Sequence, residues 1–297
     1  MLSSRQTRWL VTGAAGMLGR ALCERLEESG AEVTALDRAA LDVTDPRAVD
    51  EALTAAGPDV VVNCAAMTAV DAAESDEASA HRINADGPRH LARAGARTGA
   101  HLVHISTDYV FEGGTADHAT PYPEDAEPRP RTAYGRTKLA GERAALTEHP
   151  SGTAVLRTGW LYGHHGHSFV GTMVRFAGEG RTADVVDDQF GQPTWTGDLA
   201  ERILDVARTH ATGIYHATST GQVSWHGLAR EVYRLTGADP SLVRAIDSSR
   251  LTRPAPRPHW SVLSHEGWAR AGLPPLRDWQ TALAQALGDG NGWKAYS

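Results

Sequence analysis

A strand that turns directly into a helix constrains this chain more than any other feature. Trp9-Leu10-Val11 is a short apolar run, Thr12-Gly13-Ala14-Ala15-Gly16-Met17-Leu18-Gly19 is the turn, and Arg20 to Glu28 is a run of helix formers. At such a junction the first helical N–H groups have no intrahelical partner, and the positive end of the helix dipole lies behind them. Glycines strip the turn of side chains, so a pyrophosphate can approach the backbone. In a chain with 30 glycines a triplet arises by chance, and the weight comes from its place between strand and helix.

The same alternation continues. Glu32 to Leu36, Val60-Val61-Val62, Leu102 to Ile105 and Ala154-Val155-Leu156 read as further strands, with crossover-length segments between them. Asp45-Pro46 starts one intervening helix as N-cap and first-turn proline, and Gly57-Pro58 ends it. This pattern predicts an α/β fold, a Rossmann-type doubly wound parallel sheet with helices on both faces. Beyond Arg157 the alternation weakens. Ser168 to Glu179, Thr196 to His210 and Ser224 to Leu235 read as helices between Gly/Pro/His-rich loops, and Arg253 to Pro258 is proline-dense and extended. The expected division is a dinucleotide-binding domain over 1–157. The remainder, 158–297, is mainly a smaller, discontinuous substrate-binding lobe, with some segments returning to the first domain.

Composition narrows the class. Hydrophobic residues at 41% and charged residues at 22% suit a globular chain rather than a disordered one. The net charge of -7 argues against a nucleic-acid footprint. No run approaches the ~18 apolar residues of a membrane span. Met1 to Arg8 has two arginines and no apolar core, unlike a signal peptide. Cys23 and Cys64 read as reduced, buried small residues, which points to the cytoplasm.

Among the basic residues there are only two lysines, Lys138 and Lys294. Lys138 stands four residues after Tyr134 on a predicted helix, Thr132 to Thr147, so both project from one face. With seven tyrosines and two lysines such a spacing is expected by chance about 0.05 times. An ammonium beside a phenol favours the phenolate, lowers a pKa that is ordinarily ~10, and suits the pair to proton transfer. Ser106-Thr107-Asp108-Tyr109 follows the fourth strand, at the carboxyl end where parallel sheets receive ligands. Asp37-Arg38 ends the second strand at the distance of a ribose-binding acid. Asp37 favours a cofactor without a 2′-phosphate and Arg38 one with it. Asp42-Val43 is placed near the adenine edge, and Asn63-Cys64-Ala65-Ala66 puts small residues where the third strand passes the dinucleotide.

Gly13 to Gly19, Ser106 to Phe111 and Tyr134-Gly135-Arg136-Thr137-Lys138-Leu139-Ala140-Gly141-Glu142 resemble an extended short-chain dehydrogenase/reductase, and more narrowly the dTDP-4-dehydrorhamnose reductase family. Ala69 to Glu74, Arg157 to Trp160, Asp188 to Thr194, Gly213 to His216 and Arg257-Pro258 with Ser261 to Leu263 extend the resemblance along nearly the whole chain. Tyr109 stands where related dehydratases carry a glutamate, so elimination of water is not expected.

The resemblance implies reduction by NADPH, with NADH as the alternative, of the C4 keto group of a dTDP-4-keto-6-deoxyhexose. The first reading is dTDP-4-dehydrorhamnose to dTDP-L-rhamnose. The second is a dTDP-4-ketosugar reductase of antibiotic deoxysugar biosynthesis, such as dTDP-dihydrostreptose formation. A non-catalytic regulatory relative and an epimerase are the rivals from other classes. Thr107, Tyr134 and Lys138 would be catalytic, with Tyr134 as proton donor and Lys138 on the nicotinamide ribose. Gly13, Gly16, Met17, Leu18, Gly19, Asp37, Arg38, Asp42, Val43, Ala65, Ala66 and Thr68 would hold the dinucleotide. Thr107, Asp108, Trp160 and Arg257 would meet the dTDP-sugar, Trp160 by packing on its ring and Arg257 at the diphosphate. Asn84 is either the holder of a proton-relay water or an ordinary polar helix residue. No metal is expected, because Ala21 and Gly197 stand where acidic residues join subunits through magnesium in some members, and His164, His165 and His167 read as a flexible loop of the substrate lobe. The expected state is a monomer or homodimer with no nucleic-acid or membrane partner.

Overall fold

The computed structural model describes residues 6–114, 120–288 and 293. Five short apolar strands dominate the first half: β1 (Arg8–Thr12), β2 (Glu32–Leu36), β3 (Val60–Asn63), β4 (His101–Thr107) and β5 (Thr153–Thr158). With the later strand Gly213–His216 they form a six-stranded sheet in the order Gly213–His216, β5, β4, β3, β1, β2. Every pairing in it is parallel. The chain winds from β1 to β2 in one direction and then crosses to β3 on the other side, so the connections leaving β1 and β3 diverge. That divergence opens a crevice at their carboxyl ends.

Alternation along the strands assigns the faces. Trp9, Val11, Val60 and Val62 are buried on one side with Leu22 and Leu26 of α1 (Met17–Glu28). Leu10 and Val61 are buried on the other with Val49 and Leu53 of α2 (Pro46–Ala56). Asp45 caps α2 as its sequence implies, its carboxylate accepting from Arg47 N at 2.8 Å, and Gly57 closes the helix at φ 50°. Two short helices, α3 (Val70–Ser75) and α4 (Glu77–His81), lead into a π-helical turn over Arg82–Asp86. Then come α5 (Gly87–Thr98), which shares the α2 face, and α6 (Ala133–Glu148).

After β5 the chain builds a second apolar cluster around α7 (Phe169–Gly178) and α9 (Trp225–Leu235), with Met173, Leu228, Val232, Tyr233 and Leu283 buried together. Its strands are short pairs, including Ala183–Val186 with Val243–Ile246 and Phe190–Gly191 with Val223–Ser224. Between α7 and α9 the chain returns to the main sheet. Leu199 and Ile203 of α8 (Thr196–Thr209) pack with Leu22 of α1, and Gly213–His216 pairs with β5. Cys23 and Cys64 are free thiols, Cys23 buried and Cys64 half-buried. Among the described residues no helix is long and apolar enough to cross a membrane.

Candidate active site

At the end of β1, Gly13 has φ +65°, and a Cβ there would stand 2.7 Å from the backbone of Cys64 and Ala65. The turn therefore lies directly on the end of β3, closed by a hydrogen bond from Gly16 N to Gly13 O at 2.9 Å. Gly16 caps α1 without any side chain, which leaves the first-turn N–H groups for a ligand. Asn63 ties the two diverging strands, its Oδ1 accepting from Thr12 Oγ1 at 2.7 Å and from Ala65 N at 3.1 Å.

Over this turn lies a cleft of about 390 Å³. Gly16, Met17, Leu18, Gly19, Ala66 and Thr68 line one end, and Thr107, Asp108, Tyr134, Lys138 and Trp160 the other. The remaining predicted cofactor residues are not in that lining. Gly13 and Ala65 form the contact beneath the turn. Asp37 and Arg38 are exposed beyond β2, with Asp37 Oδ1 accepting from Ala39 N and Ala40 N at 2.9 and 3.0 Å. Asp42 Oδ1 accepts from Thr44 N and Thr44 Oγ1, bonds that hold its carboxyl below the ordinary range. Val43 is buried in the α2 face beside Leu10, and its carbonyl is hydrogen-bonded to His90 Nδ1 at 3.2 Å.

Thr132 starts α6 by accepting from Gly135 N at 3.0 Å, and this places Tyr134 in the first turn. Tyr134 and Lys138 are both buried. The Tyr134 hydroxyl faces Thr107 in the cleft, and its ring meets Tyr109 edge-on at 5.6 Å. Lys138 Nζ donates to Ile105 O at 2.6 Å. The sequence predicts a phenol lowered by its ammonium neighbour; here burial prevails and pushes Tyr134 up to about 12. The physical reason is that desolvation of the phenolate outweighs the nearby Thr107 hydroxyl, which favours it. Burial also brings Lys138 down to about 8, against the opposing influence of Glu142 and Cys64. Tyr134 is thus loaded with its proton at neutral pH, the state a proton donor requires.

Asp108 is buried, accepts from Thr107 Oγ1 at 3.0 Å, and has Ser261 from the C-terminal part of the chain as a neighbour that favours its ionised form. Burial raises it to about 6 in spite of both. Trp160 adopts φ 49°, a left-handed backbone that costs a non-glycine residue strain. Its indole stacks on Trp225 at 3.5 Å and 5°, and Trp225 receives the edge of Phe169 at 4.7 Å. With Tyr109, Trp160 also borders a second cleft of about 520 Å³ that contains Met173, Val185, Arg253 and Arg257. Arg257 is not a free guanidinium: its Nη1 and Nη2 donate to the two oxygens of Asp71 at 2.8 and 2.7 Å.

Three residues complete the site: Asn84, which the sequence leaves open between two roles, and two that escape its reading. Asn84 lies in the π-helical turn, accepts from Met67 N at 2.8 Å, and donates to Met67 O and Thr137 Oγ1. Both amide hydrogens are committed to protein, so it clamps Met67 to α6, while its Oδ1 keeps one lone pair. Its sequence signal is weak, one polar residue among several in Arg82-Ile83-Asn84-Ala85-Asp86. Trp225 as the stacking partner of Trp160, and Glu142 behind Lys138, are the other two. The histidine loop also sits elsewhere than expected. His165 Nε2 donates to Glu24 of α1 at 2.9 Å, and Gly166 lies beside Met17, so the loop reaches the glycine turn. Among the described residues no group of three or more His, Cys, Asp or Glu is placed to hold a metal.

A glycine turn under an uncapped helix, facing a buried Tyr/Lys pair, defines a dinucleotide-dependent oxidoreductase of the short-chain dehydrogenase/reductase class. The model of the RmlD substrate binding domain matches residues 7–291. The chain is 56% identical to a probable dTDP-4,6-dihydroxy-2-methyloxan-3-one 4-ketoreductase of Streptomyces antibioticus, over 95% of each chain. It is 53% identical to a dTDP-4-dehydrorhamnose reductase of Streptomyces griseus, over 94% of this chain and 93% of that one. A crystal structure of dTDP-4-dehydrorhamnose reductase from Bacillus anthracis in complex with NADP superposes with a TM-score of 0.91 at 34% identity, covering 96% of this chain and 99% of the other. The chain belongs to the RmlD substrate-binding family, that of the dTDP-4-dehydrorhamnose reductases.

Proposed function

We propose that this protein reduces the C4 ketone of a dTDP-4-keto-6-deoxyhexose with NADPH, dTDP-4-dehydrorhamnose to dTDP-L-rhamnose being the first choice. The observation that carries the reading is the cleft itself, with the uncapped α1 terminus at one end and the Thr107, Tyr134 and Lys138 set at the other. The bare glycine turn and the small residues at the end of β3 fit a dinucleotide. Exposed Arg38, beside an Asp37 whose Oδ1 is engaged in its own turn, favours the 2′-phosphate form.

The dinucleotide supplies hydride when bound. Around the ketone, the Thr107 hydroxyl turns its one proton from Asp108 to the oxygen on which charge grows, and Tyr134 delivers the proton. Lys138 stabilises the phenolate left behind and orients the nicotinamide ribose. Asp108 holds Thr107, Trp160 packs on the sugar, and Arg257, already braced by Asp71, lies toward the diphosphate. Residues 158–297 serve mainly as the substrate lobe of a cytoplasmic monomer or homodimer. A second substrate, a ketosugar of antibiotic deoxysugar biosynthesis, is favoured by the 56% identity to a Streptomyces antibioticus protein bearing a ketoreductase name.

The test is incubation of the purified protein with several dTDP-4-ketosugars and either NADPH or NADH, followed by assignment of product stereochemistry. Tyr134→Phe should lower kcat by ~10² with NADPH affinity nearly unchanged. Wild-type turnover by that variant would sink the assignment. Retention of tightly bound NAD without net consumption of reduced cofactor would point to an epimerase.

A further inference from the structure

Three consecutive residues of β4 meet α6. Ile105 O accepts from Lys138 Nζ, the Ser106 hydroxyl donates to the Glu142 carboxylate, and Thr107 faces Tyr134 across the cleft. Tyr134, Lys138 and Glu142 are spaced by four along one face of the helix, so each meets its own residue of the strand, and Lys138 and Glu142 fasten the two elements. Glu142 is the innermost rung at 1% exposure, and its partner Arg157, also at 1%, comes from β5. Arg157 Nε lies 3.0 Å from Oε1, and Nη2 lies 2.8 Å from Oε2. Ser106 and Arg157 are register partners on neighbouring strands. One carboxylate therefore ties α6, β4 and β5 together immediately behind the reacting groups.

A buried ion pair is a poor device for stability alone, because desolvation of the two charges consumes most of their attraction. What this pair delivers is geometry. We infer that Glu142 is a positioning residue of the reaction: through Ser106 and Arg157 it fixes the height of α6 along β4, and with it the placement of Tyr134 and Lys138 against Thr107. The role rests on the reductase reading of the site. A second consequence concerns charge. The ammonium of Lys138 is faced by Cys64 from the end of β3, His104 from β4 and Glu142 from its own helix. Burial pushes the Cys64 thiol up to about 12 and His104 well below its ordinary value, so both are neutral near pH 7. Glu142 is the member of this group that supports the positive charge on Lys138.

The test compares Glu142→Gln and Ser106→Ala with wild type in kcat, KM, NADPH affinity, thermal unfolding and the titration of Lys138. The last is directly readable: protein labelled with isotopic lysine gives signals from just two residues, Lys138 and Lys294. Both variants should lose roughly tenfold in kcat, with KM and NADPH affinity within about twofold, the pattern of misplaced reacting groups. In Glu142→Gln the Lys138 midpoint should fall below its wild-type value near 8. Variants that only unfold at lower temperature, with wild-type kcat and an unmoved Lys138 midpoint, would overturn the inference. If Glu142→Gln fails to fold, Ser106→Ala decides on the kinetic split alone. If wild type reduces no dTDP-ketosugar while the Lys138 midpoint still falls in Glu142→Gln, the substrate reading fails and the coupling of Glu142 to Lys138 stands.

Discussion

Asp108→Asn should make the protein more stable and a worse enzyme. The carboxyl is 4% exposed, and burial raises it from an ordinary 3.8 to about 6. At 1.36 kcal/mol per tenfold change in proton affinity, holding it ionised in the folded state costs about 3 kcal/mol. The sign follows from the raised value. The favourable contribution of this group is complete below 3.8, where it is protonated in both states, and is lost as pH rises through 6, the group being protonated in the fold alone between the two values. The cost should therefore be about 3 kcal/mol at pH 8 and about 1 kcal/mol at pH 4.5. Asparagine keeps an oxygen to accept from Thr107 and offers an N–H to Ser261, so the gain at pH 8 should be about 1–3 kcal/mol after imperfect hydrogen bonding. Urea unfolding of both proteins at the two pH values measures it. A variant less stable than wild type at pH 8, or a gain equal at both pH values, would refute the reasoning. A several-fold loss of kcat in the stabilised variant would mark Asp108 as a group retained for function at the expense of stability.

The alkaline behaviour follows from Lys138, brought down to about 8: kcat for ketone reduction should fall as pH rises through that value, while Tyr134, near 12, adds no limb of its own below it. A flat kcat between pH 7 and pH 10 would count against an essential ammonium. Gly141→Ala would put a Cβ 2.0 Å from Asn84 O, so α6 must move away from the π-helical turn; a loss of about 1–3 kcal/mol or more in urea unfolding is expected, with lower kcat. Asp71→Ala removes the brace from Arg257 and from the backbone at Ala255; a loss of about 1 kcal/mol, read as a roughly fivefold rise in KM for the dTDP-sugar with NADPH affinity unchanged, is the expected kinetic result.

Much of the molecule is legible in the order of its residues. Strand, turn and helix signals are local, and the sheet, the α2 caps at Asp45 and Gly57, and the glycine turn follow from short-range preferences that tertiary contacts reinforce. Tyr134 and Lys138 are legible for the same reason, since helical spacing alone puts them on one face. Their ionisation is not. The expectation of a lowered phenol pKa used the ammonium and omitted the burial that outweighs it, and burial is a property of the assembled core. Arg257 illustrates the same limit: its attraction for phosphate is readable from its chemistry, but its bidentate pairing with Asp71, 186 positions away, is not. The sequence by itself determined the sheet, the cofactor turn and the catalytic pair, because each depends on neighbours within a few residues. Only the tertiary structure decided that α8 and Gly213–His216 rejoin the first core, that Trp225 stacks on Trp160, and that Glu142 sits beneath Lys138. Those facts depend on which distant segments exclude water from one another, and no local preference encodes that.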